Sequence, residues 1–299
     1  MHLVRIVAVL SIFCAPISTM APPQRPEIYG TALVRLRVTN LDVSRPFYGS
    51  TLGLPQGNQG CFSPQGTAVC FFISPQQQVE LVSGAASDNG LEAVGFLVSD
   101  AATMRKYLVA HGVKCGEVNK SNSGDHVVEV RDPENHRIVF LSHKGGIIGS
   151  LAPSLISSRL IHSGFVVHDR NAEDRFYKDI LGFHVYWHGG MKDDETSWVD
   201  MQVPDGTDWI EYMLNVPANA DHHTLGVMNH IALGVPDIHA AEAQLRKNGW
   251  TGTEQPKIGR DGKWQLNLYD PNNTRVELME FTPTQKPCCS EYTGPHPKP

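Results

Sequence analysis

Apolar residues fall on alternate positions in short runs along most of the chain, and these runs come in a recurring order. His230 opens one in which Ile231, Leu233 and Val235 alternate with His230, Ala232 and Gly234, so a strand puts the bulky residues on one face and the histidine on the other. Val276-Glu277-Leu278-Met279 repeats the alternation, with Glu277 opposite Val276 and Leu278. Upstream, His162 lies in the run Ile161 to Val167 and Glu211 in Trp209 to Asn215. A carboxylate on a half-buried strand needs a partner, and two His with two Glu point to one metal site.

From the start of the chain, Thr31 to Val38 predicts a strand, and Asp42 to Ser50 a helix that carries Phe47-Tyr48 and closes before Leu52-Gly53-Leu54. Strands at Ala68 to Ile73 and Gln78 to Val82 complete a first unit. A second unit has a strand at Ala93 to Val98, a helix from Asp100 to Ala110, and strands at Val127 to Val130 and Ile138 to Leu141. Residues 144–158, rich in Gly and Ser, have neither period and read as a linker.

The order then begins again. Phe176-Tyr177 precedes Leu181-Gly182-Phe183 as Phe47-Tyr48 precedes Leu52-Gly53-Leu54, an offset of 129 residues. Asp270-Pro271 and Arg275 answer Asp132-Pro133 and Arg137 at an offset of 138. Four copies of one unit account for this. The end of the chain, 283–299, is proline-rich without an apolar period and is expected to be a flexible tail. His222-His223 reads as loop.

Composition narrows the function. A chain of 299 residues with 41% hydrophobic residues supports about two domains. The net charge of -6, with no run of Lys or Arg longer than two, excludes a nucleic-acid footprint and points to small-molecule partners. Residues 1–21, with Arg5, the apolar run Ile6 to Phe13 and the cleavage-like Thr19-Met20-Ala21, read as a secretory signal peptide and predict an exported protein, periplasmic or secreted; an uncleaved apolar extension is the alternative. Nothing later reaches membrane-spanning length, so no stable membrane insertion is expected. Outside the signal the cysteines are Cys61, Cys70, Cys115, Cys288 and Cys289. Cys61 and Cys70 flank the turn Ser63-Pro64-Gln65-Gly66 and form the favoured bridge, with two buried thiols as the alternative. No nucleophile elbow, phosphate loop or dinucleotide fingerprint is present.

The paired units with their Phe-Tyr, Leu-Gly and Asp-Pro landmarks resemble the vicinal oxygen chelate superfamily over residues 30–282. That superfamily includes glyoxalase I, extradiol ring-cleaving dioxygenases, methylmalonyl-CoA epimerase and bleomycin-resistance proteins. The resemblance implies an α+β fold of four βαβββ modules paired into two incomplete-barrel, glyoxalase-like domains. These would be an N-terminal one at 30–143 without metal ligands and a C-terminal metal domain at 159–282. It also implies one divalent ion (Zn, Ni, Fe, Mn or Co, which the sequence does not distinguish) held by His162, Glu211, His230 and Glu277, at separations of 49, 19 and 47 residues. The matching N-terminal positions are Leu33, Glu80, Ala93 and Val139, three of which cannot bind metal. There, strand parity places Arg35 and Arg37 near Glu80.

Extradiol dioxygenases need only two His and one carboxylate, which His162, His230 and Glu277 would supply. Their tyrosine three residues before the Asp of Asp-Pro is replaced by Asn267, with Tyr269 at the wrong parity. Glu211 adds a fourth ligand, as in glyoxalase I and the epimerase, and makes Glu211 and Glu277 the candidate proton-transferring groups. The glutathione-binding arginine of glyoxalase I corresponds to Val166, while its asparagine is matched by Asn215, the candidate substrate-binding residue. The expectation is a metal-dependent lyase or isomerase acting on a small carbonyl or enediolate. The alternatives are an Fe(II) ring-cleaving dioxygenase and a metal-free small-molecule binder. Oligomeric state is not legible.

Overall fold

The computed structural model describes residues 23–57, 61, 68–85, 90–121, 124–143 and 156–299. The expected signal segment, the turn Ser63 to Gly66 and residues 144–155 of the expected linker lie outside these.

The first half runs β1 (Ile28–Val38), α1 (Leu41–Pro46) continuing into a π-helical turn (Phe47–Thr51), β2 (Gln56–Gly57), β3 (Ala68–Ser74), β4 (Gln77–Ser83), β5 (Leu91–Val98), α2 (Ala101–Ala110), β6 (Asn119–Lys120), β7 (His126–Arg131) and β8 (Arg137–Ser142). The second half runs β9 (Arg159–Val166), α3 (Arg170–Asp174) with a π-helical turn (Arg175–Ile180), β10 (His184–Gly189), β11 (Trp198–Gln202), β12 (Trp209–Met213), α4 (His222–Met228), β13 (His230–Val235), α5 (Ile238–Lys247), β14 (Lys257–Ile258), β15 (Trp264–Tyr269) and β16 (Arg275–Glu280).

Local chemistry explains the boundaries. Asp237 caps α5 by accepting from the backbone N–H groups of His239 and Ala240, and Gly249, at a φ of 92°, takes the left-handed turn beyond its end. Ile238, Ala241 and Leu245, on one stripe, are the residues α5 buries. The pair His222-His223, expected in a loop, instead opens α4, because Asp221 accepts from the Thr224 N–H and nucleates the turn.

Each half forms one eight-stranded sheet, in the orders β2-β3-β4-β1-β5-β8-β7-β6 and β10-β11-β12-β9-β13-β16-β15-β14. The two orders are the same, module for module. In each, a central antiparallel pair (β1 with β5, β9 with β13) joins two modules, and each central strand pairs in parallel with the last strand of its own module. One apolar cluster runs through both halves on the helix side of the sheets, with Phe96 meeting Phe183 edge to face at 5.4 Å. Such a pair adds about 0.5–1.5 kcal/mol beyond its burial.

Residues 282–299, expected to be loose, are packed against the second sheet. Thr293 donates its N–H to Tyr186, Cys288 donates its N–H to Arg260, and the Tyr292 ring lies 4.7 Å from that of Tyr186. The proline-rich composition concealed two aromatic anchors, Tyr292 and His296, and backbone groups that the sheet edge satisfies. Cys61 and Cys70 are bridged, with Cα atoms 5.7 Å apart; Cys288 and Cys289 are bridged to each other, a pairing the sequence did not point to. Among the described residues, no helix is long and apolar enough to cross a membrane.

Candidate metal centre

The register of the second sheet assembles the four candidate ligands. His162 lies beside Trp209 and Ala232, while Glu211 and His230 flank Gly164 on either side of β9. Glu277 is the partner of Ala232 on β16. All four therefore project from the middle of the sheet onto its concave side.

The Nε2 atoms of His162 and His230 stand 3.1 Å apart. Glu211 Oε2 is 3.1 Å from His230 Nε2 and 3.8 Å from His162 Nε2, and Glu277 Oε2 is 3.8 and 3.9 Å from them. Donors around one ion at bonds of ~2.1 Å lie roughly 3–4 Å apart, which these distances match. His162, Glu211 and His230 form the tighter group, and Glu277 closes it from the side.

Gly164 makes the arrangement sterically feasible. A Cβ there would fall 2.0 Å from His230 Cε1, so the glycine leaves room for the imidazole. His230 is oriented by its Nδ1, which donates to the Met228 carbonyl at 2.9 Å and leaves the Nε2 lone pair facing the cluster. His162 is stacked on Trp209 at 4.8 Å.

Burial dominates the electrostatics. It holds both imidazoles well below the usual histidine range, with the neighbouring His230 and Arg275 adding to the effect on His162 and Arg275 to that on His230, so both are neutral and free to ligate. Burial pushes the carboxyls of Glu211 and Glu277 up to about 7 each, against the pull of Arg275. Two neutral imidazoles and two carboxyls crowded out of water favour a cation. Arg275 lies against the same cluster, its Nη2 donating to His230 Nε2 at 2.9 Å. The donor set and its unmet demand for positive charge fit a divalent ion.

Several residues outside the expected set complete the surroundings. Asp200, opposite Glu211 on β11, is buried, and burial followed by Glu211 raises its carboxyl well above the ordinary range. Lys263 is fully buried, with its ammonium 4.5 Å over the Trp209 ring and also facing the rings of Tyr186 and Tyr292. A cavity of about 250 Å³ opens above the cluster, walled by Trp187, Trp198 and Met279 with Arg275, Gln265 and Asn267. Asp200 could have been noticed as the acidic residue inside Trp198-Val199-Asp200-Met201, but nothing local marks Lys263.

Asn215 is not brought to this cavity. It sits exposed after β12 with a φ of 61°, and its amide donates to the Thr196 carbonyl at 3.0 Å. Its role here is to hold a turn.

The first sheet shows the same places without the chemistry. Its register puts Leu33, Glu80, Ala93 and Val139 where the second has His162, Glu211, His230 and Glu277, and Arg35 where the second has Gly164. Arg35 Nε donates to Glu80 at 3.0 Å, an almost fully buried ion pair. Arg37, expected beside Glu80, reaches Glu92 at 2.9 Å.

Comparison with known proteins bears on the fold that carries this cluster. Residues 159–278 match the family model described as Glyoxalase/Bleomycin resistance protein/Dioxygenase superfamily. A lactoylglutathione lyase of Haemophilus influenzae is 24% identical over 129 residues, covering 42% of this chain and 96% of that protein. The anaerobic substrate complex of homoprotocatechuate 2,3-dioxygenase from Brevibacterium fuscum superposes with a TM-score of 0.61 at 21% identity, covering 94% of this chain and 86% of that one. A room-temperature structure of an extradiol ring-cleaving dioxygenase from B. fuscum gives 0.64 at 21%, covering 94% and 76%. At that identity the likeness is one of fold, and it extends across both sheets. The sheet that carries the four-residue cluster is thus the part of the chain, residues 159–278, that is similar to the glyoxalase/bleomycin resistance protein/dioxygenase superfamily.

Proposed function

We propose that the chain is a divalent-metal-dependent enzyme of the glyoxalase type, a lyase or isomerase that moves a proton on a small carbonyl or enediolate substrate. The observation that carries this reading is Glu211, whose carboxylate lies 3.1 Å from His230 Nε2 and turns a two-His, one-carboxylate set into a four-donor one. Ring-cleaving chemistry needs that position open for substrate and dioxygen; proton transfer gains from a second carboxylate at the reacting atoms.

His162, Glu211, His230 and Glu277 would hold the ion, which when bound polarises a substrate oxygen as a Lewis acid. Glu211 and Glu277 lie where a carboxylate can take a proton from the substrate and return it. Arg275 lines the same cavity and offers its guanidinium to the oxygen on which negative charge develops. Trp187, Trp198 and Met279 wall the space and pack against the apolar part of a small substrate. Val166 in place of an arginine, and Asn215 outside the cavity, argue for a substrate other than a glutathione adduct. The apolar N-terminal segment directs export in this reading.

The test combines metal analysis with a substitution. Purified protein is expected to hold a stoichiometric metal that raises its melting temperature. Glu211→Gln should lower turnover of 2-oxoaldehyde adducts or α-hydroxycarbonyl compounds about 10²–10⁴-fold. Fe(II)-dependent oxygen uptake with catechols would assign the ring-cleaving reaction instead. Ligand binding indifferent to chelator would assign a binding protein.

A further inference from the structure

The two halves meet at two corners built on one plan. At one, Tyr48 of the first half donates its hydroxyl to Asp270 of the second at 3.0 Å; at the other, Tyr177 donates to Asp132 at 3.0 Å. The same offsets that relate the modules relate the surrounding residues: Asp169, Glu173, Glu134 and His136 stand where the first corner has Asn40, Ser44, Asn272 and Thr274. Hydrogen bonding follows the plan as well. Asn272 donates its amide to the Ser44 hydroxyl at 2.9 Å, whereas Glu134 donates its backbone N–H to Glu173 Oε1 at 2.9 Å.

One corner is thus nearly neutral and the other is strongly acidic. Beside Asp270 the residues are Asn, Ser, Asn and Thr, while beside Asp132 there are three further carboxylates and an imidazole. Asp132, His136 and Glu173 each present a ligand atom, all within 4.8 Å of one another. His136 Nδ1 is 2.8 Å from Asp132 Oδ2. Glu173 is fully buried, and its Oε2 has no hydrogen-bond partner among the described residues. A buried carboxylate oxygen left unpaired beside a second carboxylate is costly unless a cation or a proton joins it. A cavity of about 390 Å³, lined by His136, Glu134 and Phe165 with Arg37, Arg131 and Arg137, opens beside His136.

We propose that this corner is a second divalent-cation site, with Asp132 and His136 from the first half and Glu173 from the second as ligands. One imidazole and two carboxylates suit a borderline ion such as Zn²⁺, and the ion clamps the halves together.

The experiment compares zinc content in full-length protein freed of metal by chelator, loaded with Zn²⁺ and desalted. Wild type should retain one equivalent more than Glu173→Ser, which copies the other corner, and His230→Ala should lose a different equivalent. Where Glu173→Ser does not fold, Glu173→Gln and His136→Thr are read the same way. Equal zinc content in wild type and the Glu173 and His136 variants overturns the site and leaves Glu173 as a buried neutral carboxyl.

Discussion

The two sheets share strand order and register yet differ at their centres, where Arg35 of the first holds the register position that Gly164 has in the second. In the second sheet the missing side chain admits the His230 ring and, with it, a cluster of four donors. In the first, the Arg35 guanidinium takes the cation's part and neutralises Glu80, the one ligand-type residue among the four matching positions. A candidate metal pocket in this fold therefore depends as much on a deletion at the centre as on the donors around it. The same backbone supports either solution, because a concave sheet face crowded with carboxylate requires positive charge and accepts it from an ion or from a side chain.

The contrast can be broken from both sides. Glu80→Ala should leave Arg35 buried without its partner and cost about 3–5 kcal/mol, seen as a large fall in the denaturation midpoint with metal content at the four-residue cluster unchanged. His230→Ala should do the reverse, abolishing metal retention and turnover there while the metal-free protein melts near the wild-type temperature. Metal lost with Glu80 and kept without His230 would place the centre in the wrong sheet.

A smaller intrusion sharpens the comparison. Gly164→Ala puts a methyl group 2.0 Å from the wild-type position of His230 Cε1 and must turn the imidazole away. Metal affinity should fall about 10–100-fold, the usual cost of disturbing a ligand's support, as read by competition with a chromogenic chelator. An unchanged affinity would show that His230 is not held by that contact.

The smallest expected effect concerns the acidic corner. Glu173, with its carboxyl raised to about 8, binds a proton in the folded protein that the unfolded chain releases above the ordinary carboxyl range. The native state then binds more protons, so stability falls as pH rises from about 4.5 toward 8. Glu173→Gln should flatten that slope in the metal-free protein, raising the melting temperature at pH 8 and changing little at pH 4. Parallel profiles for the two proteins would remove Glu173 from the account.

Much of this architecture is legible in the chain because the modules repeat. The Tyr48/Tyr177 and Asp132/Asp270 landmarks mark equivalent turns; strand parity sets His230 and Glu277 opposite the bulky residues of their own strands, and the family resemblance groups them with His162 and Glu211. What stays hidden depends on contacts distant in sequence. Arg275 looks like a strand-edge cation until β16 carries it to His230, and Lys263 has no local signal because its aromatic cage comes from β10, β12 and the chain end. Asn215 misleads for the opposite reason: its spacing from Glu211 is right, but its left-handed backbone turns it toward Thr196.

The packed residues 282–299 bear on solubility. An open sheet presents unpaired backbone groups along its outermost strands, which invite a second chain to add itself. In the first sheet both outermost strands, β2 and β6, are only two residues long. In the second, β10 is six residues long, and the chain end runs along it: Thr293 bonds the carbonyls of Tyr186 and Val185, and Ser290 bonds both backbone groups of His188. Cutting the chain after Phe281 would therefore uncover a strand able to template self-association, and the shortened protein should aggregate on concentration even where its pocket stays intact.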